Sequence, residues 1–163
     1  MDTLPILKYP DERLHLPCKD VTVFDDDLKE FSQVLLRTMK EQRGIGLAAP
    51  QVNVHKNIIV VWAEPYMPMT FVNPVIIEAS EDLFNFSEGC LSVPGYFEDR
   101  DRPKRISLEF LDVHGVRQEI EFHDLNAFCI QHEIDHLKGK VFIDDLSELK
   151  KERIKTKIRK SRK

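Results

Sequence analysis

The chain has 163 residues, 42% hydrophobic and 32% charged, with a net charge of −4. That is enough for one domain with a real core, and no apolar run approaches the ~20 residues needed to cross a bilayer. Three scattered cysteines, Cys18, Cys90 and Cys129, make a poor disulfide framework and fit a reducing compartment; Met1–Pro5 shows no basic-then-apolar leader, so a cytoplasmic protein is expected.

In chain order, Pro5, Pro10 and Pro17 give the first twenty residues an extended, turning path. A helix is expected from about Asp25-Asp26-Asp27 to Gln42, with acids at its start and Leu28, Phe31, Leu35 and Met39 as its buried stripe. Gly44-Ile45-Gly46 breaks the pattern. Asn57 to Ala63 is a β-branched run that reads as a buried strand, and Thr70 to Ile77 as an edge or bulged one because of Pro74. Ile106, Leu108 and Phe110 alternate with polar residues, as do Val116, Ile120 and Phe122 less regularly, and Asp112-Val113-His114-Gly115 suits a hairpin between them. Asp124 can cap the next helix, Gly139 can end it, and Ser147 can open a last, basic helix over 147–163. Trp62 and the ten phenylalanines read as core. Strands followed by segregated helices predict one α+β domain over 1–163: small mixed or antiparallel sheets around a central helix, with further helices near either end.

That central helix carries His132-Glu133-Ile134-Asp135-His136. The two imidazoles leave one face about 6 Å apart along the axis, a spacing that suits two ligands of one metal ion. Glu133 points about 100° away, as a base beside the metal rather than on it. A catalytic site of this kind uses three protein ligands and keeps one position for water. For the third ligand, Glu148 or Glu152 would make a thermolysin-like site, Cys129 shares the helix face, and Cys90 lies between Gly89 and Pro94-Gly95, where the backbone can approach an ion. Chemistry favours Cys90 among these. A structural zinc site of Cys90, Cys129, His132 and His136 in an RNA-binding protein is a non-enzymatic rival. His15, His55, His114 and His123 have no partner spacing.

Gly44-Ile45-Gly46-Leu47-Ala48-Ala49-Pro50-Gln51, Glu88-Gly89-Cys90-Leu91-Ser92 and Gln131 to Gly139 resemble, in order, the three signature motifs of the peptide deformylases, and Tyr9-Pro10-Asp11-Glu12-Arg13-Leu14 resembles their N-terminal segment. The resemblance covers nearly the whole chain, including the helical C-terminal extension of one bacterial branch. It implies removal of the N-formyl group from the initiator methionine of nascent polypeptides, with release of formate. It implies Cys90, His132 and His136 as metal ligands with water as the fourth, Glu133 as the proton carrier, and Gln51 with the backbone N–H of Leu91 as donors to the formyl oxygen. Gly46 would let the backbone come close to the substrate. Gly44, Ile45, Gly89, Leu125, Phe128 and Cys129 are the substrate-binding candidates. Ferrous iron is the implied ion, with zinc, nickel or cobalt able to replace it. Where some relatives carry an arginine about seven residues after the metal cysteine, this chain has Phe97, followed by Arg100 and Arg102.

Charge is unevenly spread. Lys150–Lys163 holds nine basic residues against Glu152 alone, a net +8, so the remainder carries −12. A basic tail on an acidic body suits steering, and the resemblance points to the ribosome as its partner, with no membrane and no dedicated DNA binding expected.

Overall fold

Four consecutive β-branched residues, Ile58–Val61, are buried on both faces and explain the layering of the molecule. The computed structural model describes residues 2–62 and 67–161. Ile58 and Val60 pack with Leu28, Leu35 and Met39, while Ile59 and Val61 pack with Ala127, Ile130 and Ile134. The strand is therefore sandwiched between two helices, α1 (Asp26–Glu41) and α2 (Asp124–Leu137). With both faces covered, the pattern is a continuous apolar run rather than an alternation. Ala63, the end of the expected strand, lies outside the described residues.

Among the described residues seven strands form two antiparallel sheets: β1 (Gly46–Ala48), β2 (Ile58–Val61), β3 (Met69–Ala79), β4 (Leu83–Cys90), β5 (Val93–Pro103), β6 (Arg105–Leu111) and β7 (Arg117–His123). The larger sheet has the order β1-β2-β3-β6-β7, and β4 pairs with β5. Pairing within both sheets is antiparallel throughout; a parallel bridge between Lys19 and Lys56 stands apart from them. In the main core Phe71 meets Phe110 and Phe122 edge to face at 4.7 and 5.6 Å, contacts worth about 0.5–1.5 kcal/mol each beyond buried area. A third helix, α3 (Glu148–Ser161), seats Ile154 and Ile158 on Tyr9, Leu14, Val93 and Ile143.

Several expectations need correction. Strand β3 is central rather than an edge, and it is the bulged strand that Pro74 also allowed. The register shifts between Val72 and Val75, and Asn73 bulges outward at φ 51°. Its side chain accepts from Val21 N at 2.8 Å and donates to Val21 O at 2.9 Å, so a bulge accommodates Pro74 inside the sheet. Asp124 does not cap α2. Strand β7 runs straight into the helix, His123 takes the cap position without a side-chain bond, and Asp124 is the first helical residue at φ 52°. At the other end Gly139 does stop α2, at φ 77°, where a Cβ would lie 2.6 Å from the His15 carbonyl oxygen. Ser147 does cap α3, its Oγ accepting from Lys150 N at 3.2 Å. Arg162 and Lys163 lie outside the described residues.

The backbone around Cys90 is irregular only at one step of a paired hairpin. Strands β4 and β5 form a long hairpin closed by Leu91-Ser92, with a register shift between Glu88 and Cys90. Phe97 is not core either; it is 65% exposed on β5, its ring against Gly89.

Candidate metal centre and active site

Helix α2 supplies two imidazoles and a carboxylate from buried positions: His132 is 6% exposed, Glu133 4% and His136 1%. The β4–β5 hairpin brings Cys90 to them. One donor atom from each of Cys90, His132 and His136 lies within 4.8 Å of the others, and Cys90 Sγ is 3.3 Å from His136 Nε2. This is the one such group among the described residues. The other proposed third ligands are elsewhere. Glu148 and Glu152 sit on exposed α3, paired with Lys151 at 2.9 Å and Lys155 at 3.1 Å. Cys129 is buried in the cavity wall, and burial pushes its thiol pKa far up. His15, His55 and His123 meet Asp144, the Arg13 carbonyl and Glu121.

His132 is held by a partner of its own, whereas His136 Nδ1 is buried without a hydrogen-bond partner among the described residues. His132 Nδ1 is in short contact with Glu88, which leaves Nε2 to face Cys90 and His136. Burial opposes ionisation of Glu88, but His132 and Arg102 outweigh it and hold its carboxyl below the usual value. Arg102 Nη2 lies 2.7 Å from Glu88 Oε1, and its Nη1 lies 2.9 Å from Asp135 Oδ2. Burial lowers the His132 pKa, yet Glu133, Cys90 and Glu88 more than reverse this, and it ends well above its ordinary value. Such a surplus of negative groups around one imidazole is the field that a divalent cation satisfies. For His136, burial and the neighbouring cations push the pKa well down, toward the neutral form a ligand needs. The thiol, the two imidazoles and their surroundings thus fit a metal ion.

Glu133 stands beside this group, with Oε2 4.0 Å from His132 Nε2 and Oε1 buried without a hydrogen-bond partner among the described residues. Burial pushes its carboxyl up to about 7, against the pull of His132. A carboxyl poised near neutrality suits proton transfer in both directions. Gly46 explains how it fits: a Cβ there would lie 2.5 Å from Glu133 Oε2. Gly46→Ala should therefore displace the carboxylate in a protein that still folds. Catalytic turnover should fall about 10²-fold, the scale of a 1 Å misplacement, with an unchanged circular dichroism spectrum.

Gln51 is 1% exposed and fixed from both ends: its Oε1 accepts from Ala48 N at 2.8 Å, and its Nε2 lies 3.0 Å from Ser92 Oγ and 3.5 Å from Cys90 Sγ. One amide hydrogen therefore goes to Ser92 and the other faces Cys90 at the metal group. Leu91 closes the hairpin next to Cys90, its carbonyl accepting from Lys8 Nζ at 2.9 Å. These residues open onto a cavity of about 570 Å³. Gly44, Ile45, Gly46, Gly89, Leu91, Phe128 and Cys129 line it. Leu125 does not: it packs, partly buried, against the core of the larger sheet.

The polypeptide deformylase family model matches residues 3–152. The chain belongs to the polypeptide deformylase family. It is 45% identical to peptide deformylase 1 of Pseudomonas syringae, covering 100% of this chain and 98% of the relative, and 46% identical to that of Shewanella oneidensis over the same shares. The crystal structure of the Ehrlichia chaffeensis peptide deformylase superimposes with a TM-score of 0.92 at 37% identity, covering 99% of this chain and 97% of that one. As a member of this family, the protein is a metal-dependent hydrolase. It removes the N-formyl group from the initiator methionine of newly synthesised polypeptides, releasing formate.

Sequence reasoning missed three of this deformylase's site residues. Ser92, fully buried, fixes Gln51. Phe86 forms a cavity wall with Phe128, rings edge to face at 5.3 Å. Arg102, whose role the sequence left open, is paired inward with Glu88 and Asp135; Arg100 is likewise bound, to Asp145 at 2.8 Å. Strand alternation in Phe84, Phe86 and Glu88 was the available signal for Phe86. Ser92 gave none beyond its place in the motif. Among the described residues no helix is long and apolar enough to cross a membrane.

Proposed function

We propose that residues 1–163 act as one catalytic domain in which Cys90 Sγ and the Nε2 atoms of His132 and His136 hold a divalent ion, ferrous iron in the cell. The observation that carries this is the convergence of those three donors beside a buried, unpartnered carboxylate oxygen. When bound, the ion lowers the pKa of a water, toward ~7 in known zinc hydrolases, and polarises the formyl carbonyl. Glu133 takes a proton from a water as the water oxygen bonds to the formyl carbon, and delivers that proton to the methionine nitrogen as the C–N bond breaks and formate leaves. Gln51 Nε2 and the Leu91 N–H donate to the formyl oxygen as it gains negative charge; losing one such donor typically costs ~10²–10³ in rate.

The substrate side follows from the walls. Phe86, Phe128, Cys129 and Ile45 hold the methionine side chain, and aromatic rings favour its thioether. Strand β1 is an edge strand, paired on one side with β2. The peptide after the methionine adds alongside Gly44–Gly46 by main-chain hydrogen bonds. Gly46 and the Glu133 carboxylate crowd the reacting carbon, which admits formyl and excludes acetyl.

Anaerobic preparations should contain iron and lose activity in air, because an accessible Fe(II)–thiolate oxidises. The check is metal analysis and formate release from formyl-Met-Ala before and after exposure. An air-stable iron form would contradict the assignment; zinc, nickel or cobalt in the same donors would give the stable forms.

The basic helix α3 completes the reading as a ribosome contact. Ile154 and Ile158 are buried, so deleting the helix would open the core, and charge reversal is the cleaner test. Lys150, Arg153, Arg159 and Lys160 are exposed. Changing all four to Glu should weaken ribosome binding and flatten its salt dependence; unchanged affinity would remove the idea.

A further inference from the structure

Arg102 is held in more directions than a structural ion pair requires. It sits on the inward face of β5, opposite Phe84 of β4, with its side chain 15% exposed. One arm of the guanidinium meets Glu88 at 2.7 Å, and Glu88 holds the Nδ1 edge of His132. The other arm meets Asp135 at 2.9 Å, on α2 between the two histidines. Its central carbon lies 5.4 Å from the centroid of the Phe128 ring. Phe128 packs edge to face on Phe86, and both rings form the cavity wall.

One rigid plane therefore fixes an imidazole through Glu88, the seating of α2 on the β4–β5 hairpin through Asp135, and the tilt of the pocket wall through the ring face. We propose that Arg102 is a positioning residue that couples the shape of the side-chain pocket to the orientation of His132, so that it sets selectivity for the first residue of the substrate as well as rate. This rests on the ligand and pocket assignments of the proposed function. Lysine cannot replace it. An ammonium carries the charge but lacks the fork that reaches two carboxylates, and it lacks the flat face that lies on a ring.

The test compares wild type, Arg102→Lys and Asp135→Asn, each loaded with cobalt. The measurements are thermal midpoint, the visible cobalt spectrum, and kcat/KM on formyl-Met-Ala and formyl-Leu-Ala. Arg102→Lys should fold and bind cobalt, with kcat/KM for the methionine substrate down about 10–100-fold, the usual effect of disturbing a ligand's partner. The methionine-to-leucine ratio should fall about threefold or more, the scale of one cation–π contact, and the cobalt bands should shift. Asp135→Asn, which loosens one arm, should move the ratio the same way by less. It serves in place of Arg102→Lys should that variant not fold. An unchanged ratio and cobalt spectrum in a folded variant would overturn the proposal, even with a slower rate. A wild type that does not distinguish the two substrates would overturn the pocket assignment, and this inference with it.

Discussion

Glu133→Ala is expected to yield a folded, metal-loaded protein that releases almost no formate. The carboxylate lies beside the metal group without belonging to it, so its removal leaves Cys90, His132 and His136 in place. It is buried, and one of its oxygens is unpartnered among the described residues. That oxygen contributes no hydrogen bond to the fold, and removing a poorly satisfied buried acid costs little stability. Catalysis depends on it fully, because it carries the proton from water to the departing nitrogen. Loss of a general acid–base group costs about 10²–10⁴ in rate. Metal content and thermal midpoint should match wild type while kcat falls by that factor. A variant within tenfold of wild type would remove Glu133 from the reaction.

Cys90→Ala is expected to lose the metal. The thiol is the only non-histidine donor in the group, and the remaining two imidazoles make a weak site. The loss of affinity should exceed the ~10–100-fold typical of removing a ligand's outer partner. Competition between the protein and a chelator for zinc or cobalt measures it directly. A thermolysin-like site would keep its metal in this variant, but its third ligand would have to be Glu148 or Glu152, which face solvent on α3. Undiminished affinity in Cys90→Ala would revive a site of that kind.

Much of this was legible before any coordinates. The spacing of His132 and His136 fixes their common face, because helical geometry is local. The apolar stripe of α1 and the Asp112–Gly115 hairpin are local in the same way, and both stand as expected. The β4–β5 hairpin was hidden for a physical reason. Its inward positions on β5 include Glu98, Arg100 and Arg102, so the period-two pattern reads as charge rather than as strand. The two arginines are tolerated inside because partners from other segments meet them, Glu88, Asp135 and Asp145, while Glu98 accepts from the Tyr96 hydroxyl. No local pattern reveals a pairing of that kind. Pro74 left an edge and a bulge both open for a related reason, since the Asn73 side chain that compensates the bulge reaches back to Val21. The role of Ser92 is equally non-local, because Gln51 lies 41 positions away.

X-ray absorption spectroscopy of the zinc-loaded protein tests the metal centre most directly. One sulfur at about 2.3 Å, two imidazole nitrogens at about 2.0–2.1 Å and one light atom exchangeable with solvent are expected. A spectrum without sulfur, or one in which a fourth side chain fills the position of that light atom, would contradict the account.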